Sequence, residues 1–350
     1  MRTRWLAMAA LLALGGCETL SYYAQAVDGQ LDMMRRAQPL TRWLADPATP
    51  PALRQRLETA ARIRDFATRE LGLPDNASYR SYADLGRPYA VWNVFAAPEF
   101  SVQPVESCFP VAGCVDYRGF FAREAAERYA AERRAEALDV FVYGVPAYST
   151  LGWFDDPLLS TFIRYPESEL ARLVFHELAH QVVYVKGDTT FNESFAVTVE
   201  EEGVRRWLES EGRGTELAAF REAQARKGEF FALIEDARAR LARVYAELLA
   251  PPAMRAAKQA EFARLAERYA ALKARWGGYA GYDRLMAEPN NALLASISAY
   301  TRLVPAFKRE LAAAGGNLGV FYDRVKALAR LPAAERDARL ANELSSPGPS

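Results

Sequence analysis

The sequence predicts an α+β fold, predominantly α-helical, with a small β-sheet and a long C-terminal helical hairpin. Three observations predict it. Apolar residues recur at spacings of three and four over most of the chain; residues 87–118 interleave aromatic and β-branched side chains with Pro and Gly; and 138–144 alternates like a strand. The 350 residues are 51% hydrophobic and 25% charged, which excludes wholesale disorder and a disulfide-stapled miniprotein. Lys+Arg and Asp+Glu both number 44, giving a net charge of zero. Nothing in that balance argues for a nucleic-acid partner, which needs clustered Lys and Arg to neutralise phosphates.

The first element is a processing signal rather than part of the fold. Arg2 and Arg4 precede an apolar run from Trp5 to Leu14, then Gly15, Gly16 and Cys17. A basic start, a short apolar stretch and small residues before a cut describe a secretory signal, and the run is too short to span a bilayer comfortably. Helices are expected around Leu31–Leu44 and from Pro51 through Phe66, then the strands and turns of 87–118. A helix over 120–137, the strand 138–144 and an aromatic-rich loop over 146–156 follow. Helices at about 166–186 and 192–211 come next, joined through Gly187 and Asp188. Ile234, Ala237, Leu241, Val244 and Leu248, then Phe262, Leu265, Tyr269 and Trp276, flank the break at Pro251-Pro252 and predict the antiparallel hairpin over about 215–276. It is expected to pack structurally or to cover a site. Further helices run from Asn290 to the 340s, and 346–350 form a frayed tail.

The chemistry sits at His176-Glu177-Leu178-Ala179-His180, which takes both histidines of the chain. Its helix opens at Pro166 with Glu167 and Glu169 in the first turn, closes at Lys186 and Gly187, and is apolar almost all round, so burial is expected. Residues four apart share a helical face, so both imidazoles can hold one metal ion. Zinc there would acidify a water, and Glu177 would accept its proton. A catalytic zinc usually takes three protein donors. With no third histidine, a carboxylate is expected. Cys108 and Cys114 read as a disulfide in an oxidising compartment, their Pro and Gly permitting the turn. Asn192-Glu193-Ser194-Phe195-Ala196 opens the next helix, with Glu200 two turns on as substitute ligand or imidazole partner. Glu201 and Glu202 are expected to face solvent. Stabilising the oxyanion needs a further donor, for which Tyr148, Tyr184 and Tyr300 are candidates and Tyr148 is favoured. Strand 138–144 could lie at a sheet edge and pair with an extended peptide, or be an ordinary central strand.

These motifs resemble known families. Leu14-Gly15-Gly16-Cys17 resembles the lipobox of bacterial lipoproteins, which implies lipidation at Cys17, a signal peptide of residues 1–16 and a membrane partner through that anchor. Glu18 is similar to the outer-membrane sorting pattern, which implies an exported protein on the periplasmic face of the outer membrane. The two histidine and Asn-Glu motifs resemble those of gluzincins, the thermolysin-like and aminopeptidase N-like metallopeptidases. That resemblance implies Glu193 as third ligand, Asn192 as helix cap and a zincin-like core in one domain, 17–345. Only twelve residues separate His180 from Glu193, fewer than in the best-known gluzincins, and Val197 stands where thermolysin-like enzymes carry an Asp. A closer resemblance is to a bacterial family of predicted aminopeptidases, lipoproteins of about this length, through Gly113–Gly119, Gly144–Pro157, the two metal motifs and Asn290-Asn291-Ala292. It implies hydrolysis of a peptide substrate with one zinc ion. The alternative is a zinc-stabilised envelope lipoprotein that binds a partner without turnover.

Overall fold

In the computed structural model the described residues are 22–109, 113–147 and 149–345. The expected signal region with Cys17, the candidate oxyanion donor Tyr148, and residues 346–350 lie outside them. The chain opens with α1 (22–36), β1 (Gln38–Pro39), α2 (Leu40–Ala45) and α3 (Pro51–Arg69). The β region follows as β2 (Ser81–Ala83), β3 (Val91–Pro98), β4 (Ser107–Phe109), β5 (Gly113–Val115) and β6 (Arg118–Phe120). Then come α4 (Arg123–Ala135), β7 (Leu138–Val145) and β8 (Leu158–Leu159), before the motif helices α5 (Glu167–Ala179) and α6 (Thr189–Ser210). The hairpin is α7 (Gly214–Tyr245) and α8 (Pro251–Arg275). The last elements are α9 (Asp283–Met286), α10 (Asn291–Thr301), α11 (Val304–Ala313), α12 (Leu318–Ala329) and α13 (Ala333–Ser345). The fold is α+β and mostly helical. The hairpin is internal rather than C-terminal, because five helices follow it among the described residues.

Helix α5 forms where Leu170, Leu173, Val174, Phe175 and Leu178 supply apolar contacts all round, and every one of them is buried. At about 1.5–3 kcal/mol per fully buried large apolar side chain, that burial holds the helix in the main core. It ends at Ala179, about two turns before Lys186 and Gly187. The run Val182-Val183 favours extended backbone over helix, and Asn192 clamps the connector from the far side. Its Oδ1 accepts from Val185 N at 2.7 Å and its Nδ2 donates to Val185 O at 2.8 Å. Asn192 is therefore not the cap of α6, as the motif implied. The helix begins three residues earlier, capped by Asp188, which accepts from Phe191 N at 3.0 Å. Gly203 brings the pair together: a Cβ there would meet Phe175 at 2.7 Å and Leu71 at 2.8 Å.

Among the described residues three small sheets stand where one was expected, in orders β1–β2–β8, β6–β3–β7 and β4–β5. The middle one covers the motif helices. Asn93 pairs in register with Gly119 on one side and Tyr143 on the other, and Val91 pairs with Val145. Asp139 and Asn291 fix this sheet to the hairpin and α10. Lys258 binds Asp139 at 2.7 Å, Asn291 N donates to the same carboxylate at 3.0 Å, and Tyr245 Oη donates to Asn291 at 3.0 Å. Cys108 and Cys114 face each other across the β4–β5 hairpin with their sulfurs bonded.

Candidate active site

A cavity of about 800 Å³ lies between α5 and α6 below and the β6–β3–β7 sheet above. Its ceiling is the face of that sheet. Val91 and Asn93 of β3, Tyr117 and Gly119 around β6, and Tyr143 and Val145 of β7 line it at alternate positions, as the two-residue period of a strand requires. β7 is an edge strand of this sheet, yet it is its face, not its backbone edge, that lines the cavity.

The floor carries the motif residues. His176 and Glu177 are on α5. His180 is its C-cap and keeps helical backbone angles (φ −59, ψ −22), so its ring stays on the face of His176 although the helix has ended. All three are buried, as are Glu193 and Glu200 of α6. The three donor atoms converge. His176 Nε2 lies 3.2 Å from Glu193 Oε2 and 3.2 Å from His180 Nε2, and His180 Nε2 lies 3.6 Å from Glu193 Oε2.

That arrangement fits a cation. Tetrahedral coordination at about 2.0–2.1 Å places donors roughly 3.3 Å apart, and the observed spacings bracket that edge. The chemistry of the set agrees. His176 donates Nδ1–H to Glu200 Oε2 at 2.8 Å, so in its neutral form Nε2 presents a lone pair toward a carboxylate and a second imidazole. Three lone-pair donors face one point, and they need positive charge between them. Without a metal that charge is a proton. Burial opposes it, but hydrogen bonds to Glu193 and Glu200 and the nearby carboxylates push the His176 pKa up to about 10. Burial likewise raises Glu193, yet the His180 charge and hydrogen bonds from both imidazoles bring it down to about 2.

Glu200 is not one of the converging donors. It sits behind His176, against the other ring nitrogen, and Arg172 donates to the same oxygen at 3.0 Å. Burial works to raise its pKa, while the Arg172 charge and the His176 hydrogen bond drive it well below the carboxylate range. Such a carboxylate fixes ring orientation and tautomer. Glu177 lines the cavity, and burial raises its carboxyl above the usual range, against the opposing charges of His176 and His180. Glu201 and Glu202 are not solvent-facing: their side chains are 11% and 14% exposed. α7 and α11 cover Glu201 with Lys227 and Lys308, and Glu202 pairs with Arg205 and Arg206.

Tyr184 and Tyr300 both line the cavity; Tyr148 lies outside the described residues. The sequence reading missed Tyr117, Tyr143 and Asn93. The alternation of 138–144 could have put Tyr143 on one face, but only the register with β3 shows which face. Tyr143 Oη donates to Tyr300 Oη at 3.3 Å, and Asn93 hydrogen-bonds Tyr143. Burial, with the charge of Glu193, raises Tyr300 and Tyr117 well above the usual tyrosine pKa, so both hydroxyls keep their protons. From the hairpin, Lys227 and Phe231 of α7 complete one wall.

The model of a family described as "Putative aminopeptidase" matches residues 21–340. No curated protein and no solved structure matches the chain. The match spans every element that builds the cavity, and the chain belongs to this family.

Proposed function

We propose that the protein is a zinc-dependent peptidase with a zincin-like core, hydrolysing peptide bonds in the cavity between α5, α6 and the sheet. One observation carries the reading: His176 Nε2, His180 Nε2 and Glu193 Oε2 meet within 3.6 Å of one another on the floor of a cavity that Glu177 also lines. These three residues would hold the ion. When bound, zinc supplies a Lewis acid that acidifies a water and polarises the scissile carbonyl.

The chain's own residues do the rest. Glu177 takes the proton of the attacking water on its carboxylate and delivers it to the leaving amine. Its raised pKa suits a group that must both accept and release a proton. Tyr143 and Tyr300, whose hydroxyls lie 3.3 Å apart, both line the cavity, and the hydroxyl of Tyr300 would donate where oxyanion charge develops. Glu200 and Arg172 hold the His176 ring. The presence of Glu177 and these donors in the same cavity favours turnover over a purely structural metal site.

Cys17 would carry the lipid that tethers the chain to the bacterial envelope. Digestion of a mixed peptide library, read by product mass spectrometry with and without chelator, tests the activity. Metal-dependent products are expected; products that are absent, or identical with chelator, would refute it.

A further inference from the structure

Nine large apolar side chains are exposed among the described residues, and five of them flank one opening. Val27, Leu31 and Met34, exposed at 58%, 41% and 38%, lie on α1. Trp153 and Phe154, at 72% and 46%, lie on the loop between β7 and β8. Both elements border the cavity: α1 lines it with Tyr22, Tyr23, Ala26 and Gln30, and the loop with Leu151, Trp153 and Phe154.

The α1 residues form a stripe. Positions 27, 31 and 34 fall on one helical face, extended by exposed Ala24. That face adjoins the cavity-lining positions on their solvent side, and its residues do not themselves line the cavity. The stripe starts beside the chain's point of departure: Cys17 is five residues before Tyr22, about 17 Å at full extension. A tether attached there keeps α1 within reach of a bilayer surface; the exposed indole of Trp153, apolar with one N–H donor, suits the headgroup boundary, and Phe154 adds apolar surface beside it.

We propose that the α1 stripe and the Trp153–Phe154 loop together form a lipid-contacting surface that seats the cavity opening against the membrane. The proposal rests on the lipid attachment at Cys17 for its proximity argument. A tether alone leaves orientation free; this surface fixes it, so that substrate enters along the membrane plane.

The test uses the full chain, produced with its own signal and purified from membranes. It is reconstituted in phosphatidylethanolamine/phosphatidylglycerol vesicles with brominated acyl chains. The N-terminal mass and vesicle flotation read the tether; the fluorescence lost between the wild type and Trp153→Phe reads lipid contact at the loop. Quenching of Trp153 is expected, and Val27→Asp with Leu31→Asp should abolish it while the protein still floats. Both substitutions fall on exposed positions and leave the core untouched. A tethered protein whose Trp153 is unquenched overturns the proposal, as does quenching that survives the double variant. A dimer that shields Trp153 without lipid overturns it in favour of a second copy. If the N-terminus carries no lipid, the tether reading alone fails. Flotation of that unlipidated chain then decides: binding lost in the double variant supports the surface, and no binding overturns it.

Discussion

The imidazole of His176 and the carboxylate of Glu200 meet at 2.8 Å, Nδ1 to Oε2, with Arg172 on the same oxygen at 3.0 Å. The contact links two helices and dictates that the ring's other nitrogen points at Glu193. Glu193 and Glu200 of α6 thereby have distinct tasks, and substitutions separate them. Glu193→Gln removes a converging donor and should abolish tight zinc binding. Glu200→Gln keeps all three donors but loosens the ring, so zinc affinity should fall about 10–100-fold. Competition with a zinc-binding dye measures both.

In the proposed mechanism Tyr300, whose hydroxyl lies 3.3 Å from that of Tyr143 in the cavity lining, is the oxyanion donor. Tyr300→Phe should lower kcat by about 10²-fold with little change in KM, because the donor acts on charge that exists only in the transition state. Tyr143→Phe should cost less, since Tyr300 keeps its own proton. Steady-state kinetics on one peptide found in the library digest checks the order.

The disulfide hairpin is docked on the motif connector. A Cβ on Gly113, whose φ is +83, would meet Lys186 Cγ at 2.7 Å and Gly187 N at 2.8 Å. Beyond Cys114 the chain passes Val115 and Tyr117 into the cavity ceiling. Replacing both Cys108 and Cys114 by Ser should raise hydrogen exchange over 113–119 and 185–188 and lower activity, with a stability loss of about 2 kcal/mol. Exchange confined to the hairpin tip would show that the connector is held without it.

Asp156 is 2% exposed, and it shapes the Trp153 loop by accepting from Thr150 N at 2.9 Å and Thr150 Oγ1 at 2.8 Å. Burial, opposed by those hydrogen bonds, pushes its pKa up to about 7. The folded state therefore holds a proton that the unfolded chain releases near pH 4. Stability is present below that value and is lost as pH rises through about 7. Asp156→Asn removes the titration. The Tm of the wild type should fall relative to the variant between about pH 5 and about pH 8, and a constant difference would contradict the assignment.

What the sequence made legible was what is local. The spacing of His176 and His180, the apolar surround of α5 and the hairpin break at Pro251-Pro252 all follow from helical periodicity, and the structure places them accordingly. What it hid depends on pairing across distance. Asn192 looks like a cap by position, but the connector folds back so that its side chain binds Val185 instead, leaving Asp188 to cap. Glu193 and Glu200 are indistinguishable by face alone, and only the approach of α6 to α5 sends one to Nε2 and the other to Nδ1. Tyr143 and Asn93 become site residues through strand register, which no local pattern states.

Anomalous diffraction at the zinc edge from a zinc-soaked crystal tests the central claim most directly. The account predicts a single peak about 2.0–2.2 Å from His176 Nε2, His180 Nε2 and a Glu193 carboxylate oxygen. No peak there, with the two imidazoles and the carboxylate still bonded to one another, would contradict it.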